Sequence, residues 1–259
     1  TYMLNGSSLY AWWLRALGAK IGDEVVIGSI TLRAPDLLVI GDGASIGNAV
    51  NFENARVEHG ELRLGAIAIG PDAGVGSYVV LEGNTALGAF SHLEGQTALS
   101  DGMVVPAGRT WSGSPARDVG AFDTASNPAR PPVSGVRLVT EPLYFLCGAL
   151  LITTLFFLPV FPSFMLIDWI DNADSFGPVP NSEIPWQLAK YFMLAFPATA
   201  VLIVLTALLS AAIRWGVLPR MKPGSWPVHS NKYCAKWLVN QIQECSLSVL
   251  HGVYATVYA

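Results

Sequence analysis

The chain has 259 residues, 52% of them hydrophobic, with 15 Lys+Arg against 19 Asp+Glu and a formal net charge of −4. That length holds one large or two small domains, and the acidic balance gives no support for nucleic-acid binding, which calls for a basic stripe. Charge is unevenly spread: residues 1 to 141 carry 9 Lys+Arg and 14 Asp+Glu, and residues 142 to 259 only 6 and 5.

The chain opens at Thr1 without a basic and then apolar leader, which reads as no secretion signal and as a piece of a longer polypeptide. Leu9 to Leu17 is apolar and aromatic, with Tyr10, Trp12 and Trp13, and Gly18 ends it. Residues 1–20 are therefore expected to hold a helix that caps the exposed strand edges of the domain after it.

That domain keeps a six-residue clock. Ile21, Ile27, Ile40 and Ile46 are each followed by glycine, with one residue inserted between Ile27 and Ile40. Ile69, Val75, Leu81, Leu87, Leu93, Leu99 and Val105 then fall at strict intervals of six, with a glycine in each interval. A helix wants apolar residues every three or four positions and a half-buried strand every two, so neither explains a six. A parallel β-helix does. Each hexad supplies a short flat strand and a corner, one aliphatic side chain points into the axial core, and three hexads close a triangular coil. Glycine is expected at the corners for its dihedral freedom. Residues 21–117 are assigned to this domain, with a sandwich of short strands as the weaker alternative.

The frame fails once, where continuing it from Phe52 would put Glu58 in the core. An unpaired carboxylate there carries a large desolvation penalty, so the chain from Asn54 to Gly60 is expected to leave the coil as a loop. His59 lies in that loop.

Pro106, Gly108, Gly113 and Pro115 break the coil, and residues 118–141, rich in Pro, Ala and Ser, read as a linker. Pro142 to Ile167 and Tyr191 to Ile213 contain no charge. Each is long enough for a bilayer crossing of roughly 20 residues, so residues 142–213 are expected to form a transmembrane hairpin. Buried helices of a soluble domain are the alternative, but such helices usually show a polar face. The intervening loop holds Asp168, Asp171, Asp174 and Glu183, while Arg130, Arg137, Arg214, Arg220, Lys222, Lys232 and Lys236 flank the pair. By the positive-inside bias the loop faces outward, and the β-helix and the tail share the cytosolic side. Residues 214–259 read as a membrane-proximal segment. Leu238, Ile242, Cys245, Val249, Val253 and Val257 stand at helical spacing, which suits an amphipathic helix in the interface or one packed on the β-helix. Cys147, Cys234 and Cys245 show no CxxC pairing and read as buried thiols in a reducing compartment.

The hexads together with Gly113-Ser114-Pro115-Ala116-Arg117 resemble the hexapeptide-repeat acyltransferases, whose left-handed β-helix commonly ends in Gly-x-Pro-Ala-Lys/Arg. A closer likeness covers almost the whole chain: Leu-Gly-Ala-Lys-Ile-Gly (17–22), His-Gly-Glu-Leu-Arg-Leu-Gly (59–65), Val-Pro-Ala-Gly (105–108), Trp-x-Gly-Ser-Pro-Ala-Arg (111–117), a transmembrane pair, Lys-Trp-Leu-Val (236–239) and Tyr-Ala-Thr-Val-Tyr (254–258). In this order they resemble the membrane-embedded C-terminal region of non-ribosomal-peptide-synthetase-like proteins of the epsilon-poly-lysine synthetase type. The resemblance implies a left-handed coil, and adenylation and carrier domains of the same polypeptide that load an amino acid. It further implies a neighbouring β-helix domain, contact with the lipid bilayer, and a thioester donor on the phosphopantetheine arm of the carrier, with no cofactor bound directly. No adenylation or carrier motif occurs in this chain.

Acyl transfer from a thioester to an amine needs a base for the amine proton and donors for the oxyanion, and the base is most often histidine. Of His59, His92, His229 and His251, His59 is the candidate, because it lies in the irregular loop beside Glu58, which could orient it. A loop histidine with no role stays open. His92 precedes the inward Leu93 and faces outward, in an exposed or packing role ahead of one lining an inter-coil cleft; His229 and His251 read as structural. Arg117 and Ser114 lie where the resembling acyltransferases meet the phosphates of the pantetheine donor, although Arg117 could instead pair with Asp118 or cap the last coil. Asn51 and Asn54 could stack as a polar ladder or touch substrate. No three histidines stand at converging spacings, which argues against a metal site. Two readings follow: an amide-forming, acyltransferase-like module, or a catalytically silent scaffold or product-export module of the same enzyme. A free-standing acyl-CoA transferase trimer is disfavoured by the membrane segments.

Overall fold

The computed structural model describes residues 4–123, 134–172, 184–218 and 223–257, and the chain divides into two units, Thr1–Phe145 and Leu146–Ala259. In the first unit the hexads alternate among three sides of a prism. Side one stacks β1 (Lys20–Ile21), β4 (Leu38–Ile40), β9 (Ile67–Ile69), β12 (Thr85–Leu87) and β15 (Val104–Val105). Side two stacks β2 (Val26–Ile27), β5 (Ser45–Ile46), β10 (Gly74–Val75), β13 (His92–Leu93) and β16 (Arg109–Ser112). Side three stacks β3 (Ile30–Leu32), β6 (Val50–Glu53), β11 (Val80–Glu82) and β14 (Ala98–Leu99). Neighbours within each side run parallel, with Ile69 facing Leu87 and Leu87 facing Val105. The fold is the expected parallel β-helix, and no sandwich forms. Phe52, Leu81, Leu93, Leu99 and Val105 are completely buried along its axis.

The repeat glycines act differently from expectation. Left-handed backbone recurs at Asp72, Tyr78, Asn84, Phe90, Gln96, Gly102 and Gly108, three residues after each inward aliphatic, so the strained corner is mostly occupied by other residues. The glycine directly after the aliphatic serves close approach instead. A Cβ on Gly88 would lie 2.4 Å from the Ala107 amide nitrogen, and one on Gly70 2.7 Å from that of Ala89. Neighbouring coils stack too tightly there for any side chain.

At the first coil, α1 (Ser8–Ala16) buries Tyr10, Ala11 and Leu14 against the core. Arg15 donates from Nε to the Ile21 carbonyl at 2.9 Å and from a terminal nitrogen to that of Gly22 at 2.5 Å. These contacts satisfy carbonyls that an open solenoid end would leave orphaned. The other end closes by a strand expected to be linker: β17 (Arg117–Ala121) turns back antiparallel on β16. Of the remaining linker, residues 124–133 lie outside the described residues.

The helical segments begin earlier than the charge-free run. α2 (Gly135–Phe157) takes in Pro142, and Arg137 and Glu141 pair at 3.8 Å one turn apart on its first turns. α3 (Val160–Asn172) follows a break at Leu158–Pro159, and α4 (Ile184–Val217) spans 34 residues. The stretches Gly135–Asp171 and Leu188–Val217 are long and apolar enough to cross a membrane. Cys147 is exposed on α2, against the buried thiol expected there, while Cys234 is buried. Most of the acidic loop, residues 173–183, lies outside the described residues, as do Arg130, Arg220 and Lys222.

α5 (Asn231–Val257) lays Cys234, Trp237, Leu238, Val239, Gln241 and Ile242 into the second unit. It packs against α4 and brings Trp237 and Leu238 over Gly148. The side chains of Val249, Val253, Val257 and His251 lie outside the described residues.

Candidate functional site

The interruption at Asn54 is a protruding β-hairpin and not an irregular loop. β7 (Ala55–Glu58) pairs with β8 (Glu61–Leu64) antiparallel, with Ala55 facing Leu64, Arg56 facing Arg63, Val57 facing Leu62 and Glu58 facing Glu61. His59 (φ 52°) and Gly60 (φ 82°) make the two-residue turn, both left-handed as a tight hairpin of this twist requires. Strand alternation then sorts the arm into two faces. Val57 and Leu62 are 73% and 65% exposed on one, and Arg56, Glu58, Glu61 and Arg63 share the other.

The polar face ties the arm to the coil wall. Arg56 reaches Glu58 at 3.2 Å, Glu82 at 3.3 Å and Asp101 at 3.5 Å. Glu82 also accepts the Asp101 backbone N–H at 3.0 Å. Arg63 takes the second oxygen of Glu58 at 3.1 Å. The Glu58 carboxylate is thus held by two guanidiniums and makes no hydrogen bond to His59, which stands exposed at the tip. Sequence reasoning missed Arg56, Glu82 and Asp101. Their signal is positional: Glu82 and Asp101 follow Leu81 and Leu99 by one and two residues, at the corner from which the arm departs. Because these pairs are partly solvated, Arg56→Ala is expected to change global stability by about 1 kcal/mol or less. It should nevertheless free the arm, so limited trypsin digestion at Arg63 should accelerate severalfold, while an unchanged cleavage rate would show that the arm is held by other means.

The terminal motif forms a turn on side three. Ala98 donates its N–H to the Gly113 carbonyl at 3.0 Å and accepts from Ala116 at 2.9 Å. Ser114 and Arg117 are exposed on this turn. Asp118, considered as a partner for Arg117, is instead held by Arg109 at 2.9 and 2.7 Å. Arg117 has no ion pair among the described residues, so its donors face outward. Likewise among the described residues, no hydrogen bond or ion pair joins Glu58 or His59 to Ser114 or Arg117.

The other polar candidates fall into structural places. Asn54 is buried and bonds the Ala34 backbone in both directions, at 3.1 and 2.6 Å, and Asn51 donates to Glu53 at 2.9 Å, so no asparagine ladder forms. His92 stacks on Phe122 with ring centroids 5.3 Å apart, above Gly74, where a Cβ would lie 2.5 Å from its Nδ1. Burial lowers the His92 pKa from the usual histidine value, partly opposed by the Glu94 charge. The fold therefore favours the neutral ring, and its contribution is present above the unfolded value of about 6.5 and lost as pH falls through the lowered folded value. Melting of the wild type should drop more steeply between pH 7.5 and 5 than that of His92→Gln; parallel profiles would contradict this. Among the described residues no three His, Cys, Asp or Glu side chains converge as a metal site.

No protein-family model matches the chain. Among solved structures it is similar to hexapeptide-repeat acetyltransferases. One, from Vibrio cholerae O1 biovar eltor in complex with acetyl coenzyme A, matches with a TM-score of 0.37 and 20% identity over 44% of this chain and 76% of that one. Another, a maltose O-acetyltransferase from Clostridium difficile 630, matches with a TM-score of 0.35 and 12% identity over 44% and 74%. At these scores the fold rests on the strand register above. Among curated proteins the chain is similar to the Delta-poly-L-ornithine synthetase of Acinetobacter baumannii (strain AB307-0294), 47% identical over all 259 residues. The chain spans 19% of that protein's length.

Proposed function

We propose that this chain is an acyltransferase-like, amide-forming module of a larger membrane-bound synthetase that polymerises an amino acid. The observation that carries the reading is the identity to a poly-ornithine synthetase along the whole chain, solenoid and apolar helices alike. The relative's name favours a basic amino acid with a side-chain amine, ornithine ahead of lysine. Adenylation and carrier domains of the same polypeptide load the monomer, and a neighbouring β-helix completes the cleft.

In this reading His59 takes the proton of the acceptor amine as the C–N bond forms and the C–S bond breaks, and returns it to the departing sulfur. Glu58 supports the tip by fixing Arg56 and Arg63. Arg117 and Ser114, exposed and with donors to spare, suit the phosphate of a phosphopantetheine arm, which supplies the thioester when the loaded carrier docks. The two apolar stretches, α2 with α3 and then α4, cross the bilayer: Leu150, Phe161, Phe164, Phe192, Phe196 and Leu208 are each more than half exposed, an apolar surface that water does not tolerate on this scale. Trp169 and Trp215, near helix ends, suit the interface. The β-helix then faces the cytosol, where loaded carriers form.

The test is to replace residues 55–64 by Gly-Gly in the full-length parent enzyme. Aminoacyl loading should persist while amide formation falls to background; full polymer yield without the arm would end the proposal. One observation favours the scaffold reading: His59 has no orienting partner among the described residues. That reading predicts lost assembly of the parent enzyme on arm deletion, with turnover indifferent to His59 alone.

A further inference from the structure

A cavity of about 220 Å³ lies between α4 and α5, lined by Ser210, Arg214, Val239, Ile242, Gln243 and Ser246. The spacing explains it: Ser210 and Arg214 are one turn apart on α4, and the four α5 residues recur at helical intervals on a single face. The volume is several times the ~30 Å³ share of one water, room for a phosphate with its nearest waters. Its polar lining consists chiefly of donors. Arg214 gives one N–H to the Leu218 carbonyl at the end of α4, and a guanidinium carries five. Ser210 and Gln243 bring a hydroxyl and an amide, while the Ser246 hydroxyl is committed to the Gln243 carbonyl at 2.9 Å. Among the described residues no carboxylate lines the cavity and none pairs with Arg214. Arg214 is also the first charge after the uncharged run Tyr191–Ile213.

A cation with no counter-ion among the described residues, beside hydrogen-bond donors, at the depth where an apolar helix ends, matches a lipid phosphate in sign, size and place. We propose that this cavity binds a phosphate group, supplied by an anionic phospholipid headgroup. The placement rests on the membrane reading of α4. The site lies within the second unit.

The test uses the full chain in neutral detergent, with thermal melting followed in the presence of phosphatidylglycerol, diacylglycerol or inorganic phosphate. Phosphatidylglycerol is expected to raise Tm by a few degrees and diacylglycerol to leave it unchanged, since stabilisation follows ligand binding to the folded form. Arg214→Gln should lose most of that rise. So should Ser210→Leu, which fills the cavity but keeps Arg214 and its bond to the helix end. If inorganic phosphate gives the same rise, the phosphate site stands and its source is soluble; if only the lipid acts, the source is the bilayer. Equal effects of phosphatidylglycerol and diacylglycerol, no effect of either phosphate source, or a rise unaltered in both variants would overturn the site. Alkaline carbonate extraction of membranes holding the chain separates the two failures. A chain that stays in the pellet yet ignores lipid loses only this site, whereas a chain released by carbonate loses the membrane reading.

Discussion

His59→Ala in the full-length parent enzyme is expected to lower polymer formation about 10²- to 10⁴-fold, the range over which a positioned acid or base contributes. Aminoacyl loading should be untouched, because the proposed function assigns that chemistry to domains outside this chain. The argument is geometric before it is chemical. A two-residue turn holds His59 at the furthest point of an arm that Arg56 pins to two successive coils. A side chain there projects beyond the solenoid wall, where a docked carrier and an acceptor amine could both reach it. The same place leaves it open to water and without an orienting partner among the described residues, so its alignment must come from substrate or from a neighbouring domain. Glu58→Gln is accordingly expected to have the smaller effect, through loosening of Arg63 and Arg56. A quantitative assay of labelled polymer against labelled carrier checks both; undiminished polymer from His59→Ala would leave the scaffold reading.

The second large effect is on stability. Gly88→Val should destabilise the β-helix by about 3 kcal/mol or more, at or beyond the upper end of overpacking costs. A Cβ there meets backbone, the Ala107 nitrogen at 2.4 Å and its Cα at 2.7 Å, and stacked backbone cannot swing aside as a side chain does. Gly102 makes the contrast. It is left-handed at φ +76° with nothing within 4 Å of an added Cβ, so Gly102→Ala should cost only the dihedral penalty of about 1–2 kcal/mol. Thermal unfolding of the full chain in detergent, followed by its β-sheet circular dichroism, ranks the two. If Gly102→Ala proved the more damaging, dihedral freedom and not coil spacing would govern the repeat glycines.

These contrasts show where the sequence is readable. One buried position in six must be aliphatic whatever its neighbours, so Ile69 to Val105 announce the coil and its three sides without further information. The reason for the glycines was not readable, because it lies in the distance to the next coil, 18 residues away. The arm was half readable. The failure of the frame at Glu58 located it, and the alternation of Val57, Leu62 and Leu64 around His-Gly is a hairpin pattern, but a carboxylate at a core position suggested irregularity. The pairing of Arg56 with Glu82 and Asp101 depends on how coils register after an insertion, which no local pattern contains. β17 leaves no local signal because Arg117–Ala121 has no hexad, and the true start of α2 at Gly135 is masked by the charges and Pro142 ahead of the apolar run. The Arg137–Glu141 pair one turn apart is the signal that the helix had already started.

The most direct measurement is a structure of the full-length parent enzyme with a stable amide analogue of the aminoacyl thioester on its carrier. The account predicts an imidazole nitrogen of His59 within about 2.6–3.2 Å of the position of the attacking amine, directly or through one water. A reacting centre gathered around a histidine of another domain, with the arm of this one buried in a contact that excludes the carrier, would contradict it.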